Sequence, residues 1–245
     1  MKKQLFLVLA LALLPSTLWA ANAGDFTIAV DAGHCSRTDG KRTFPFTKEV
    51  THEYKGYKIT VAKGEEFREH IANAGVAENL AKILEKIGFK VVRVAFNDIN
   101  GYDDNDDPGL NGRLTKIREA GAVVSVSCHQ DAFGDNWNGA HGIGIFVWPG
   151  GGGESKRLAD IMMPKLAAVR GQMNRGVRDC YSFALCDINR SKCRASILVE
   201  HAFMTNEFEA ENYVCNPEVW HDYAVAEAKA ICEFLDVPFP EDAGK

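Results

Sequence analysis

The stretch that decides the fold runs from Gly121 to Asp131 and reads GAVVSVSCHQD. Its small and β-branched residues are typical of a short buried strand, and the glycine before it is typical of the end of a helix. A helix followed directly by a buried strand predicts an open α/β sheet, in which ligands bind beyond the carboxyl ends of the strands. His129 and Asp131 close this strand, so they are candidate functional residues.

Strand-like and helical patterns alternate along the rest of the chain. Short β-branched or aromatic runs predict strands near residues 26–30, 90–95, 142–148 and 196–199, and apolar residues at steps of three or four predict helices near 66–87, 110–121, 155–169 and 217–235. This order predicts an α/β fold: one domain with a mostly parallel twisted sheet and helices on both faces. A Lys-Gly turn within residues 43–63 predicts a hairpin, which we interpret as an insertion beside the site.

The composition is that of an ordinary globular protein with an acidic balance. The chain has 245 residues, of which 46% are hydrophobic, and a net charge of -5. This length allows one substantial core, and we expect a monomer without a second domain. The excess of acidic residues argues against nucleic acid as a partner.

The first residues have the pattern of a secretory signal peptide. Lys2 and Lys3 precede the apolar run from Leu5 to Leu14, and small residues follow up to Ala23. Cleavage after Ala20 or after Ala23 is compatible with the pattern, and Ala-Asn-Ala satisfies the small-residue rule better. No apolar span follows, so we expect a periplasmic or secreted protein without a membrane anchor after cleavage.

Export makes disulfides chemically available to the seven cysteines. An odd number leaves at least one thiol unpaired, and spacing does not give the connectivity. We expect one disulfide among Cys180, Cys186 and Cys193.

Four polar residues from separate elements fall at the carboxyl edge of the predicted sheet: His34, Glu69, His129 and Glu200. Two imidazoles and one carboxylate are a common ligand set for catalytic zinc, which keeps a position open for water. A second carboxylate beside the ion can accept a proton from that water. Taken singly, each histidine is also compatible with a polar residue satisfied by a neighbour, and Glu69 with a surface glutamate. Glu200 is more informative, because a carboxylate that ends the run SILV has to be desolvated unless it finds a partner.

Several segments resemble, in order, the motifs of the zinc-dependent N-acetylmuramoyl-L-alanine amidases of the type 3 family. They are FTIAVDAGH at 26–34, EHIAN at 69–73, the Arg-bearing segment at 110–113, SVSCHQDA at 125–132, SKRLA at 155–159 and ILVEHAFMTNEFE at 197–209. The likeness extends over about residues 26–235, and the order of the motifs is more specific than any one of them.

The resemblance implies a phosphorylase/hydrolase-like fold and hydrolysis of the amide between N-acetylmuramic acid and L-alanine, in peptidoglycan or in muropeptides. It implies that His34, Glu69 and His129 bind Zn²⁺ and that Glu200 is the general acid/base. It divides the chain into a signal peptide at 1–23, the amidase catalytic domain at 24–237 and a C-terminal tail at 238–245.

The chain departs from the family's pattern at five positions, and the segment between His34 and Glu69 is longer than is usual in the family. These positions are Ala32, Cys35, Gln130, Asp131 and Ala202. None of the departures removes a ligand. Gln130 and Asp131 directly follow the second histidine, so we expect substrate contacts to differ there.

Three further residues lie close to the motifs. Arg113 can meet a substrate carboxylate if it projects toward the site, although we expect a structural pairing instead. His141 and His201 each lie a short step from a site segment and are weaker candidates for contacts around the metal.

Two other functions fit the same residues. A zinc peptidase of the carboxypeptidase or aminopeptidase kind, acting on cell-wall peptides, shares a metal site at a sheet edge. A peptidoglycan-binding protein without turnover is the other alternative. The sequence leaves open whether the substrate is polymeric or a soluble muropeptide.

Overall fold

The computed structural model describes residues 21–38, 40–95, 108–150 and 153–245, so the predicted signal peptide lies outside the described residues as far as residue 20. The strands are β1 (Thr27–Ala32), β2 (Val50–Tyr54), β3 (Tyr57–Val61), β4 (Lys90–Val94), β5 (Val124–Asp131), β6 (Ile143–Val147), β7 (Asn174–Asp179) and β8 (Ala195–Phe203). The helices are α1 (Glu69–Ile87), α2 (Gly109–Glu119), α3 (Glu154–Ala168), α4 (Ile188–Ser191), α5 (Glu207–Glu209) and α6 (Pro217–Phe234).

The main sheet has six strands in the order β4-β1-β5-β8-β6-β7. Strands β4, β1, β5 and β8 run parallel to one another, β6 is antiparallel to β8, and β7 is parallel to β6. The predicted mostly parallel sheet is therefore confirmed. Strand β7 was not predicted, because its sequence NRGVRD is polar and belongs to an edge strand, where no alternating apolar pattern is needed.

Helices cover both faces of this sheet, as predicted. On one side α1 and α3 contact the sheet and α6 packs on both of these helices, and on the other side α2 and α4 lie together. Successive side chains of β1 point to opposite faces of the sheet, so both faces need a helical cover. Ile28 and Val30 join the larger core, and Ala29 joins a smaller core with Leu114 and Ile117 of α2. Strand β5 lies between β1 and β8, which explains its run of small and β-branched residues.

Helix α1 brings its first residue to the carboxyl edge of the sheet. Arg68 is extended, and Glu69 opens the helix. Gly88 ends the helix in the left-handed conformation at φ 107°, with its N–H bonded to the carbonyls of Leu84 and Glu85. The helix and its glycine cap were both predicted.

The predicted hairpin is present as β2 and β3, but it does not lie beside the site. Lys55 and Gly56 make the turn, both with positive φ, which matches the twist of a two-residue hairpin. The hairpin packs on α6 and approaches Lys82 of α1, whose Nζ lies 3.5 Å from Oη of Tyr57. At 1.5 Å per residue, Lys82 is roughly 20 Å along α1 from Glu69. The interpretation of this segment as an insertion beside the site was therefore wrong for the hairpin.

The seven cysteines all lie in the described ranges and all have free thiols. The expected disulfide among Cys180, Cys186 and Cys193 is therefore not formed. Residues 238–245 pack on the domain: Ala243 is buried, and Nζ of Lys86 donates to the carbonyl of Asp242 at 2.6 Å. Among the helices described, none has the length and apolar character to cross a membrane.

Candidate metal centre and active site

The turn after β1 carries His34 and is held by a buried arginine. His34 has a left-handed backbone at φ 63°, which is uncommon for a residue with a side chain. Arg113 of α2 donates from Nη1 to Oδ1 of Asp31 at 2.8 Å and from Nη2 to the carbonyl of His34 at 3.0 Å. The structural pairing expected for Arg113 is confirmed, since its guanidinium pairs with Asp31. The same group holds the turn through the carbonyl of His34.

Glu69 is almost completely buried and fully hydrogen-bonded. Its Oε1 accepts from Nδ2 of Asn73 at 3.1 Å and from the backbone N–H of Gln130 at 3.2 Å, and its Oε2 accepts from the N–H of Lys41 at 2.6 Å. Burial pushes the pKa of Glu69 upward, but the hydrogen bond with His129 and the charges of both imidazoles outweigh it and lower the pKa to about 2. Glu69 is therefore an ionised carboxylate.

His34 and His129 converge on Glu69 from two strands. Nδ1 of His129 lies 3.1 Å from Oε1 of Glu69, and Nε2 of His34 lies 3.5 Å from Oε2. The two rings stand nearly perpendicular, with centroids 5.0 Å apart. One ligand atom from each of the three residues lies within 4.8 Å of the others. The structure therefore brings together the three residues that were predicted as metal ligands.

The chemistry of this donor set fits a divalent metal such as zinc. Burial lowers the pKa of His34 more than the charge of Glu69 raises it, so the ring tends to be neutral. Metal binding requires neutral imidazole and ionised carboxylate, and His34 and Glu69 meet this requirement. Gly40 leaves space for the ring of His34, because a Cβ on Gly40 would lie 2.9 Å from Cγ of that histidine.

Glu200 lies opposite His129 in the pairing of β8 with β5. Neither residue ends its strand, because β5 continues to Asp131 and β8 to Phe203. Strand β5 ends at Asp131, as predicted, whereas β8 continues past Val199, its predicted end, so that prediction was wrong by a few positions. A register shift between His129 and Asp131 interrupts the pairing, and such bulges re-aim side chains next to active sites.

The carboxyl group of Glu200 is buried without a complete set of partners. Its Oε2 has no hydrogen-bond partner among the described residues. Burial raises the pKa of Glu200 well above its usual range, and the negative charges of Glu69 and Asp131 raise it further. A carboxyl group with a raised pKa in a cleft is suited to exchange protons near neutral pH.

One cavity of about 610 Å³ is lined by all four predicted site residues, His34, Glu69, His129 and Glu200. Arg113, Gln130 and Asp131 line it as well, and the lining also has an apolar part, formed by Leu110, Phe183, Ala184, Leu185 and Leu198. Gln130 is buried, and its Oε1 lacks a hydrogen-bond partner within the described residues. Burial raises the pKa of Asp131. Gln130 and Asp131 are thus placed at the site, as predicted.

His141 and His201 do not line this cavity. His141 is exposed and lines a separate pocket with Glu209, so its predicted contribution to the site is wrong. His201 is buried: its Nδ1 lies 3.1 Å from the main-chain carbonyl of the candidate ligand His129, and its Nε2 lies 3.1 Å from Oε1 of Glu227. With Cys128, these two residues form a second close group of metal-type donors. That group is fully buried and lies outside the lining of the large cavity, so His34, Glu69 and His129 are the better candidate centre.

Two residues that shape the site were missed by sequence reasoning. Asn73 donates to Oε1 of Glu69 and to the carbonyl of Gly33 at 2.9 Å, and its position one helical turn after Glu69 was a usable signal. Lys41 gave no signal, because it lies in an irregular segment.

The family model described as N-acetylmuramoyl-L-alanine amidase matches residues 28–233. The chain belongs to this family. It is an enzyme that hydrolyses the amide bond between N-acetylmuramic acid and L-alanine in peptidoglycan. A comparison with curated proteins finds no match.

Solved structures of amidases share the fold. The N-acetylmuramoyl-L-alanine amidase from Clostridium difficile 630 is 21% identical with a TM-score of 0.65, and the alignment covers 88% of this chain and 98% of that chain. The amidase Ami1 from Mycobacterium smegmatis is 21% identical with a TM-score of 0.65 and coverages of 88% and 99%. The catalytic domain of CwlV from Bacillus (Paenibacillus) polymyxa is 22% identical with a TM-score of 0.64 and coverages of 87% and 99%. At these identities the likeness shows the fold, which agrees with the strand order found here.

Proposed function

We propose that this amidase is zinc-dependent and that His34, Glu69 and His129 hold the ion. The observation that carries the proposal is the convergence of two imidazoles and an ionised carboxylate in the cavity that also contains Glu200. A zinc ion bound there would polarise the substrate carbonyl and lower the pKa of a bound water to about 7.

Glu200 is proposed as the general acid/base. Its raised pKa makes the ionised carboxylate a stronger base than an ordinary glutamate, and Oε2 has no competing partner among the described residues. Glu200 would accept a proton from the attacking water and give it to the leaving amine of L-alanine. Glu69, with a pKa of about 2, stays ionised throughout.

The remaining lining is proposed to orient the substrate. The apolar wall around Phe183 and Leu185 offers contact surface for the methyl groups of the lactyl and alanyl units. Gln130 carries an unpaired buried oxygen, which is suited to accept an N–H of the substrate. The N-terminal segment supports the further proposal that the enzyme is exported to the periplasm or secreted and reaches peptidoglycan or muropeptides there.

Digestion of purified sacculi with and without chelator tests this function. Mass spectrometry should find stem peptides with free L-alanine amino termini and intact sugars, and the chelator should abolish them. Glu200→Gln should retain nearly stoichiometric zinc and release no peptide. Shortened stem peptides would identify a peptidase instead, and purified protein without zinc or products would identify a binding protein. Retained hydrolysis by Glu200→Gln would remove Glu200 from the mechanism.

A further inference from the structure

Lys41 lies where the catalytic cavity opens into a second groove. The large cavity and a more open one of about 430 Å³ share Lys41 and Ala132 in their lining. The open groove is otherwise bordered by Gly40, Arg42, Phe44, Gly134, Asp135 and Thr205. A substrate that is cut in the large cavity and extends into this groove therefore passes Lys41.

The main chain of Lys41 is fixed to Glu69 from both sides. Its N–H donates to Oε2 of Glu69 at 2.6 Å, and its carbonyl accepts from the N–H of Glu69 at 3.0 Å. The side chain itself is exposed. The backbone is thus held at a defined distance from the candidate metal centre, while the ammonium group is left to project into the opening.

The ammonium of Lys41 makes no ion pair and no hydrogen bond with the part of the chain that the structure describes. Neighbouring Arg42, in contrast, pairs with Glu66 at 3.4 Å. The positive charge of Lys41 is close enough to Glu200 to oppose the rise of that carboxyl's pKa caused by burial. An uncompensated cation beside a catalytic cavity favours an anionic ligand group.

We propose that Lys41 binds a carboxylate of the stem peptide on the leaving-group side and makes the enzyme selective for stems whose second residue carries a free α-carboxylate. This inference rests on the proposed function. A stem whose second residue is acidic presents the α-carboxyl of that residue either free or as an amide. One extended residue spans about 3.6 Å, so this group lies within reach of a lysine at the rim when L-alanine is at the metal centre. The amidated form offers no charge to Lys41.

The test compares two muramoyl tripeptides that differ only in this group, a free α-carboxylate or an α-amide. The metal-loaded enzyme should cleave the carboxylate form with the lower KM. Lys41→Met should raise KM for the carboxylate form roughly five- to tenfold, as expected for a charge-assisted contact near the surface, and should leave KM for the amide form unchanged. Lys41→Arg should restore the preference.

Lys58→Met is the matched control, because it removes the same charge from an exposed position of the distant hairpin. It should behave as wild type. An unchanged preference in Lys41→Met, or equal KM values for both substrates in wild type, would overturn the proposal. Binding of the two uncleaved substrates by Glu200→Gln gives the same comparison without turnover. Failure of wild type to cleave either substrate would contradict the proposed function instead, and the binding comparison would still decide the role of Lys41.

Discussion

Gly33 and His129 are in such close contact that no side chain fits between them. A Cβ added to Gly33 would lie 2.2 Å from Cε1 and 2.3 Å from Nε2 of the imidazole. The ring rests on the main chain of the turn that carries His34, and Nδ2 of Asn73 holds that turn through the carbonyl of Gly33 at 2.9 Å. The position of the candidate ligand His129 therefore depends on the absence of a side chain at Gly33, the residue before the candidate ligand His34.

Gly33→Ala should displace the His129 ring and weaken metal binding by about 10- to 100-fold, the range found when the support of a ligand is lost. Gly33 is not among the residues with positive φ, so the effect is steric and not a matter of backbone strain. Isothermal titration with zinc measures the affinity. Gly139→Ala is the control, because a Cβ there meets nothing within 4 Å. Equal affinities for the two variants would show that the ring can move away without loss.

Alanine at each of His34, Glu69 and His129 should abolish stoichiometric zinc. Each residue supplies one of the three ligand atoms that lie within 4.8 Å of one another, and two ligands hold zinc poorly. Metal analysis of the purified variants measures the content. His141→Ala should keep its zinc, because His141 lines a different pocket. Unchanged metal in His129→Ala would rule out the proposed ligand set.

Arg113→Met should destabilise the fold by about 3–5 kcal/mol, because it leaves the buried carboxylate of Asp31 without its partner. Asp31 is fully buried and, within the described ranges, its carboxylate would retain only the hydroxyl of Ser127 at 2.6 Å. Urea unfolding measures the change. The double variant Asp31→Asn/Arg113→Met should recover part of the loss, since no charge is then left buried. A double variant as unstable as the sum of the two single variants would show that the ion pair is not the cause.

The fold and the candidate metal-binding residues were largely readable from the sequence, for a physical reason. Buried parallel strands such as β5 consist of continuous β-branched and small residues, and polar residues at the end of such runs stand out. His129 and Glu200 were found in this way. Strand β8 continues past Glu200, because Ala202 and Phe203 are also buried, so a polar residue was mistaken for the end of β8.

Other features carry no local signal. The polar edge strand β7 needs no apolar alternation, and the place where the hairpin packs depends on contacts such as that of His52 with the carbonyl of Glu211 at 2.7 Å. Closeness in sequence misled the prediction for His141, which follows β5 by only a short loop yet turns to another pocket. Lys41 is brought to the site by its main-chain bonds to Glu69, which no local sequence pattern predicts.

All seven cysteines should be alkylated after denaturation without reductant. In the native protein only Cys180 should react quickly, because the other six thiols are buried. Burial also raises the pKa of Cys193 to about 11 and that of Cys232 to about 12, which leaves little reactive thiolate. Mass spectrometry counts the adducts. Five adducts in the denatured, unreduced protein would demonstrate a disulfide and contradict the structure at this point.

His221 should make the fold less stable in mild acid. The ring packs against Tyr54 of the hairpin with centroids 5.5 Å apart, and its Nε2–H donates to the carbonyl of Gly244 at 2.9 Å. Burial lowers the pKa of His221 in the folded protein. The unfolded chain, with a histidine pKa of about 6.5, then binds the proton more readily. Stability is therefore fully present above about pH 6.5 and is lost as the pH falls toward the lower pKa of the folded state.

The loss reaches at most about 1.4 kcal/mol per pH unit for one group. His221→Gln keeps a donor for the carbonyl of Gly244 and removes the titration, so its urea-unfolding free energy should fall less between about pH 7.5 and about pH 5.5 than that of wild type. The difference between the two curves isolates His221 from the other histidines, including those at the candidate metal centre. His141→Gln, at an exposed position, should follow wild type. If the His221→Gln curve also runs parallel to wild type, then His221 binds its proton as readily in the folded domain as in the unfolded chain, and burial beneath the hairpin does not control its charge.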